Sequence, residues 1–205
     1  MSKLTTTKVP TCSESVTAYK KKEAFEMKSK NITAIVIIVV LLAFVGTMAI
    51  SAQDKYTVKV PNGLAFSEFR GYEKWQVVAI SQSEGLGLIS VILANPVMID
   101  AYQAGVPGNG KPFPDGSKMA KIHWKPKKSA EAPAPTTVPG TLHDIDFMAR
   151  DSKRFPDTGN WGWAQFNYDA ASDTFTPEGS GTNCGYACHT IVKAKDYVFT
   201  AYPVR

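Results

Sequence analysis

One segment decides how this chain is interpreted: Asn183-Cys184-Gly185-Tyr186-Ala187-Cys188-His189. It holds two thiols four positions apart, and a histidine directly follows the second thiol. Such thiols can add to the two vinyl groups of a heme, and the neighbouring histidine can then reach the iron. The usual spacing is Cys-x-x-Cys-His, so this chain has one residue more between its cysteines. The segment predicts one covalently attached heme c, held by Cys184 and Cys188 and ligated by His189.

Two other interpretations of this segment stay open. In an oxidising compartment, Cys184 and Cys188 can close a small disulfide loop. They can also bind zinc together with His189 and one further nitrogen ligand, for which the chain offers His123 and His143. The same two histidines are candidates for a second axial ligand of a heme iron.

Most of the net positive charge of the chain lies in its first 52 residues. Of 205 residues with a net charge of +5, residues 1–52 carry +4 and residues 53–205 carry +1. The larger part therefore lacks the basic surface that binding of nucleic acid requires, and we expect no nucleic acid partner. With 44% hydrophobic and 20% charged residues, the composition is typical of a globular domain and excludes a mostly disordered chain or a polytopic membrane protein.

Residues 32–50 form an uncharged apolar stretch that is long enough to span a bilayer as a helix. Lysines precede it and small residues follow it, as a cleavable secretion signal requires. Residues 1–52 are thus predicted to be a cytoplasmic leader with a signal peptide or a retained membrane anchor, and Met27 is a candidate start site. Residues 53–205 are predicted to be an exported, periplasmic heme domain, soluble after cleavage or anchored to the inner membrane.

The exported part alternates short apolar runs with turn-forming residues, which is the pattern of β-strands. Asn95 followed by Pro96 predicts the start of a short helix, and a second short helix is expected over 190–197. The stretch 127–140, rich in proline, alanine and threonine, is predicted to be a surface loop. The domain is thus expected to be mainly β (α+β), with two or three short helices. Strands are expected at 77–80, 88–93, 117–124, 145–148, 161–168 and 198–202.

Asp144, Asp146 and Asp151 lie close together in the sequence and raise the question of a calcium site. They lack the loop glycine and the terminal glutamate of a calcium-binding EF-hand. We interpret them as solvated turn residues.

Three blocks of sequence together resemble the cytochrome P460 family, which includes the β-sheet cytochromes c′. They are the cysteine–histidine segment with its continuation to residue 202, the block 150–163 (RDSKRFPDTGNWGW) and the block 114–121 (PDGSKMAK). The resemblance covers about residues 66–205. It implies a large antiparallel sheet with flanking helices, often a homodimer, and one heme c per chain with His189 as the proximal iron ligand. The opposite side of that iron is then open or holds water.

In this family, enzymes that oxidise hydroxylamine carry a lysine cross-linked to the porphyrin edge, and the resemblance places that lysine at Lys121. They also have a carboxylate just before the first heme cysteine, where this chain has Asn183. On a strand, Lys121 shares its face with Met119, His123 and Lys125. That face is either solvated or covered by the heme, and both interpretations stay open.

The sequence thus predicts an exported c-type heme protein that binds or oxidises small nitrogen compounds, hydroxylamine or nitric oxide, and passes electrons to a c-type acceptor. Lys121 favours such an enzyme. Asn183, which cannot act as a base, favours a non-catalytic protein that binds nitric oxide or carbon monoxide as cytochromes c′ do. A simple electron carrier is a further alternative, with Met119 or Met148 as the sixth iron ligand. Membrane contact is expected only through residues 32–50.

Overall fold

A computed structural model describes residues 53–61, 63–178 and 181–205 of the chain. The predicted leader and the apolar stretch 32–50 lie outside the described residues. Within those three ranges, no helix is long and apolar enough to cross a membrane.

Six strands form one antiparallel sheet, in which every strand pairs with its neighbour in the sequence. Such a meander can use short connections, although residues 95–117 with a helix join the second strand to the third. The third and fourth strands make the longest pair and continue together beyond the end of their pairing with the second strand. The strands are β1 (Gln76–Ser83), β2 (Leu88–Ala94), β3 (Lys118–Lys128), β4 (Thr137–Arg150), β5 (Trp161–Asp169) and β6 (Thr174–Pro177).

Among the described residues, two α-helices and several short 3₁₀ turns flank the sheet. Helix α1 (Pro96–Gln103) begins where predicted, because the Asn95 side chain accepts a hydrogen bond from the Met98 amide at 3.2 Å. Helix α2 (Gly181–His189) carries the cysteine–histidine segment, and the 3₁₀ turn Thr190–Lys195 follows it directly. The architecture confirms the predicted mainly β (α+β) class, a large antiparallel sheet with short flanking helices.

Each face of the sheet is covered by an apolar cluster. On one face, 3₁₀ turns that precede β1 bury Phe66 and Phe69, and Phe69 stacks on Phe147 with ring centroids 4.1 Å apart. On the other face, α1 and the chain around Tyr197 and Val198 pack on residues of β2, β3, β4 and β5. Burial on both faces explains why β2, with the sequence LISVILA, reads as a continuous apolar run instead of an alternating one.

Met119, Lys121 and His123 lie on the second of these faces, because alternate residues of a strand point to the same side. Met119 is buried in the second cluster and His123 is also buried. Part of the β3 face that carries Lys121 is therefore covered by other residues of the protein. Tyr197 and Val198, near the C-terminus, are among them.

The segment 198–202, predicted as a strand, is irregular in the structure, and that prediction was wrong. The Tyr102 hydroxyl donates a hydrogen bond to the Thr200 carbonyl at 2.9 Å, and Tyr202 stacks on Tyr102 with ring centroids 5.5 Å apart. Thr200 and Tyr202 therefore contact α1, and the segment does not pair with a strand.

The predicted loop 127–140 is shorter than expected, because only residues 129–136 connect β3 and β4. Pro126 lies opposite Pro139 in this pair, next to a shift in the strand register. Proline is tolerated at such irregularities, since it cannot donate a bond to a regular ladder. The short strand β6 was not predicted, because four residues with the sequence TFTP give little pattern.

Candidate cofactor site

Helix α2 lies against β5 through small side chains. Thr182 is buried, and its hydroxyl donates to the Trp163 carbonyl at 3.2 Å and accepts from the Trp163 amide at 3.4 Å. One turn later, a Cβ atom on Gly185 would overlap the Trp163 side chain. Glycine therefore permits the close approach that holds the cysteine-bearing helix on the sheet.

Cys184 and Cys188 share one face of α2, because residues four positions apart lie above one another on a helix. Both thiols are exposed and free, so the disulfide loop considered from the sequence is not formed in the structure. The extra residue between the cysteines suits the helical conformation, since it keeps both sulfurs on one side.

The His189 ring is oriented by one hydrogen bond. Its Nδ1 lies 2.6 Å from the Tyr197 carbonyl oxygen. Because a carbonyl only accepts, Nδ1 carries the proton and the lone pair of Nε2 is available to a metal. Asp196 and Tyr197 have φ angles of 51° and 64°, and this tight reversal of the backbone brings the carbonyl back to the ring.

The environment of His189 favours its neutral form. Burial lowers the pKa of His189, and the positive charge of Lys121 acts in the same direction, although the bond to Tyr197 opposes them. The Trp163 ring lies 5.5 Å and the Phe199 ring 4.8 Å from the imidazole, measured between ring centroids. A neutral imidazole between aromatic rings is suited to bind a metal ion.

Two adjoining cavities of about 150 Å³ each lie beside His189. They share four lining residues and lie next to each other, bordered by residues of α2, the sheet and the C-terminal segment. The first cavity borders Cys184 and Cys188, and the second borders Lys121, Met119 and Met148. The shared residues are Asp146, Phe147, Trp163 and His189.

Lys121 lies in the same cavity as His189. The side chain is half-buried on a covered face of the sheet, beside the buried residues Met119 and Met148. The face is thus partly covered by protein, and cover of Lys121 by a heme stays a prediction. A covalent bond between Lys121 and a porphyrin stays a prediction.

Asp146 is a cavity residue that the sequence analysis missed. It pairs in register with Lys121 and lines both cavities, and 41% of its side chain is exposed. Burial raises the pKa of Asp146 to about 6, and the negative charge of Asp144 adds to the effect. The interpretation of Asp144 and Asp146 as solvated turn residues was wrong, since both lie within β4 and Asp144 is buried. Asp151 does cap a turn.

His123 and His143 both contact Asp144. His123 Nδ1 meets one carboxylate oxygen, and His143 Nδ1 lies 2.6 Å from the other. Neither histidine lines a cavity beside His189. The structure therefore does not bring them to the two thiols, as the zinc interpretation requires, nor does it place them as a second axial ligand.

The chemistry of the residues around the cavities fits a heme. Two free thiols, an imidazole with an available Nε2 and several aromatic side chains surround one region. The indole Nε1–H of Trp163 is buried without a hydrogen-bond partner among the residues that the structure describes. Buried polar groups are normally paired, so this N–H is consistent with a site that holds a further group.

Comparison with protein families agrees with this chemistry. The family model described as Cytochrome P460 matches residues 69–200, which is more than half of the chain. The chain belongs to the cytochrome P460 family. As a P460 protein it is a c-type heme protein, and the matched range includes Lys121, Asp146 and the segment from Cys184 to His189. No curated protein matches the sequence.

Proposed function

We propose that this P460 protein binds and oxidises small nitrogen compounds, hydroxylamine or nitric oxide, at one covalently attached heme whose iron is bound by His189 Nε2. The observation that carries the proposal is the common cavity of His189, Lys121 and Asp146. Iron coordination, a lysine amine and a carboxylate are the groups that such an oxidation uses, and here they border one space.

The attachment is assigned to Cys184 and Cys188. Their positions on one face of α2 allow both thiols to form thioethers with the same porphyrin, and their exposure leaves them open to the reaction. His189 ends the same helix, so attachment and ligation come from one rigid element. The Tyr197 carbonyl fixes the direction of Nε2, as second-shell groups do at other metal sites.

Cys184, Cys188 and His189 would hold the heme, which would supply a binding position for the substrate nitrogen and a path for its electrons to a c-type acceptor. Oxidation of hydroxylamine also releases protons. The Asp146 carboxylate, with a pKa of about 6, is largely ionised at neutral pH and can accept one of them. It supplies the base that Asn183 cannot be.

A non-catalytic protein that binds nitric oxide or carbon monoxide is the second candidate. The cavity beside Lys121 is walled partly by Ile92, Val198 and Phe199, and such an apolar lining suits a diatomic gas. In that case Lys121 has no bond to the porphyrin and the protein shows no turnover of hydroxylamine.

Replacement of Lys121 by alanine separates these candidates. For the enzyme, the heme-loaded protein has a strongly red-shifted reduced Soret band, and Lys121→Ala abolishes both that shift and the turnover of hydroxylamine. The control is Lys125→Ala, which removes an exposed lysine from the same strand. An ordinary high-spin c-type spectrum that is identical in wild type and Lys121→Ala would contradict the enzyme and leave the gas-binding protein.

Export, the c-type acceptor and a homodimer belong to the same proposal. Covalent heme attachment takes place outside the cytoplasm, so the chemistry of Cys184 and Cys188 requires that residues 53–205 be exported. The apolar stretch 32–50 and its lysines are the features that support this route.

A further inference from the structure

The side chains of His123, Asp144 and Asp146 converge on one point of the β3–β4 pair. His123 Nδ1 contacts Asp144 Oδ1 directly and lies 3.7 Å from Asp146 Oδ2. One donor atom from each of the three residues lies within 4.8 Å of the others. His123 and Asp144 have no part in the heme chemistry proposed above.

The convergence follows from the strand register. His123 lies opposite Asp144, and Lys121 lies opposite Asp146. Because side chains alternate along a strand, Asp144 and Asp146 both point to the face that carries His123. The side chains of His123 and Asp144 are only 8% and 5% exposed, so these groups meet away from bulk water.

Two carboxylates so close together repel each other. The charge of Asp144 is one cause of the raised pKa of Asp146, and Asp146 makes no hydrogen bond within the described residues. When both carboxylates are ionised, they bring two negative charges to the cluster. Lys121, opposite Asp146, offsets part of that charge and leaves the site attractive to a divalent cation.

We propose that His123 Nδ1, Asp144 Oδ1 and Asp146 Oδ2 bind a divalent transition-metal ion of the zinc type, which takes the place of the proton between His123 and Asp144. Zinc binds imidazole nitrogen and carboxylate oxygen at about 2.0–2.2 Å. His123 Nδ1 and Asp146 Oδ2, 3.7 Å apart, subtend an angle of about 120° at such an ion, whereas His123 Nδ1 and Asp144 Oδ1 are in direct contact and must move apart to admit it. Three protein ligands leave the fourth position to water.

A second-shell contact supports Asp144 as a ligand. Its Oδ2 accepts a hydrogen bond from His143 Nδ1 at 2.6 Å, which fixes the carboxylate with Oδ1 toward the site. The Asp146 side chain is 41% exposed, which gives an ion access to the site. In the ion-bound state Asp146 is a ligand and no proton acceptor, so its two roles belong to different states of the protein.

The test measures metal content in the heme-loaded full chain, where Cys184, Cys188 and His189 are engaged by heme. After equilibration with Zn²⁺ and gel filtration, mass spectrometry of the metals is expected to find one zinc per iron. His123→Gln, Asp144→Asn and Asp146→Asn are each expected to reduce zinc to background. The control Asp157→Asn removes an exposed carboxylate elsewhere and is expected to keep it.

His143→Gln provides a graded test, because loss of a second-shell partner weakens metal affinity about 10–100-fold without removing a ligand. Asp146→Asn is the ligand variant least expected to misfold, because the Asp146 carboxylate makes no hydrogen bond within the described residues. Circular dichroism checks that this variant is folded. Absence of zinc from the wild type, or undiminished zinc in folded His123→Gln and Asp146→Asn, would overturn the site. The readout does not depend on turnover, so this failure is distinct from failure of the proposed function.

Discussion

Asp146 is the residue of the cavity that links structure to a measurable pH response. Its carboxylate faces the region beside His189, and burial together with Asp144 raises its pKa to about 6. Above that pH the group is mostly ionised and can take up a proton, whereas below it the proton is already bound. Turnover that needs Asp146 as a proton acceptor is therefore expected to fall as the pH is lowered below about 6.

We expect kcat for hydroxylamine at saturating substrate to fall about tenfold per pH unit below pH 6, because kcat reports groups of the enzyme–substrate complex and the fraction of ionised Asp146 falls at that rate. Asp146→Asn is expected to lower turnover at neutral pH on the order of a hundredfold and to remove this acidic limb. Steady-state kinetics with EDTA present measures both effects. An unchanged acidic limb in Asp146→Asn would contradict the assignment of Asp146 as the base.

Thermal unfolding of the same variant gives an independent check. A carboxyl group whose pKa is higher in the folded than in the unfolded state folds more favourably when protonated. Ionisation of Asp146 therefore costs stability as the pH rises from about 4 to about 6. With EDTA present, we expect Asp146→Asn to raise Tm at pH 7.5 and to leave it unchanged at pH 4. A difference of equal size at both pH values would contradict the raised pKa.

Among the secondary-structure elements, the contact between α2 and β5 positions the segment from Cys184 to His189. Thr182 bonds to the Trp163 backbone, and Gly185 allows the helix to touch the Trp163 side chain. In an exposed helix, glycine is less favourable than alanine by about 1 kcal/mol. At Gly185 an added methyl group would overlap Cβ and Cγ of Trp163. This steric clash lowers stability, whereas the higher helix propensity of alanine would raise it.

We therefore expect Gly185→Ala to destabilise the domain by about 1–3 kcal/mol, as overpacked sites do, in place of the usual gain in helix propensity. Urea unfolding of the heme-loaded protein measures this change. The control Asn183→Ala changes an exposed residue of the same helix and is expected to be neutral or slightly stabilising. A Gly185→Ala variant as stable as the control would show that α2 is not held by this contact.

The elements that the sequence predicted are those whose signals are local. The apolar runs that form β1, β2 and β5, and the Asn95-Pro96 start of α1, were visible without knowledge of the fold. The segment 198–202 was misassigned, because Tyr202 packs on α1 and Phe199 contacts His189, and pattern alone does not distinguish such packing from strand pairing.

The residues of the candidate site also fall into two groups: those that the local sequence reveals and those that only the fold brings together. Cys184, Cys188 and His189 are contiguous, so their chemistry was legible in the sequence. Asp146 and the Tyr197 carbonyl enter the site through strand register and a backbone reversal, which the local sequence does not reveal. The alternation of Lys121 and His123 on β3 with Asp144 and Asp146 on β4 was the available signal, since opposite charges attract across paired strands.

For the molecule as a whole, the proposed route is export followed by heme attachment. We expect the exported protein to begin after Ser51 or Ala52 and to carry one heme, as measured by intact mass spectrometry. Val39→Arg places a charge within the apolar stretch and is expected to block export and leave heme-free protein in the cytoplasm. Heme attached to a protein that never leaves the cytoplasm would contradict this route.

The neighbour-to-neighbour pairing of the six strands also sets an order of assembly. Contacts between adjacent segments close short loops, and proteins built from local contacts fold comparatively fast. The last strand ends at Pro177, before Cys184, so a chain that emerges N-terminus first can complete its sheet while the attachment helix is still arriving. We therefore expect the sheet to form before the heme is attached. Heme attachment, and not sheet formation, is then the slow step in making the mature protein.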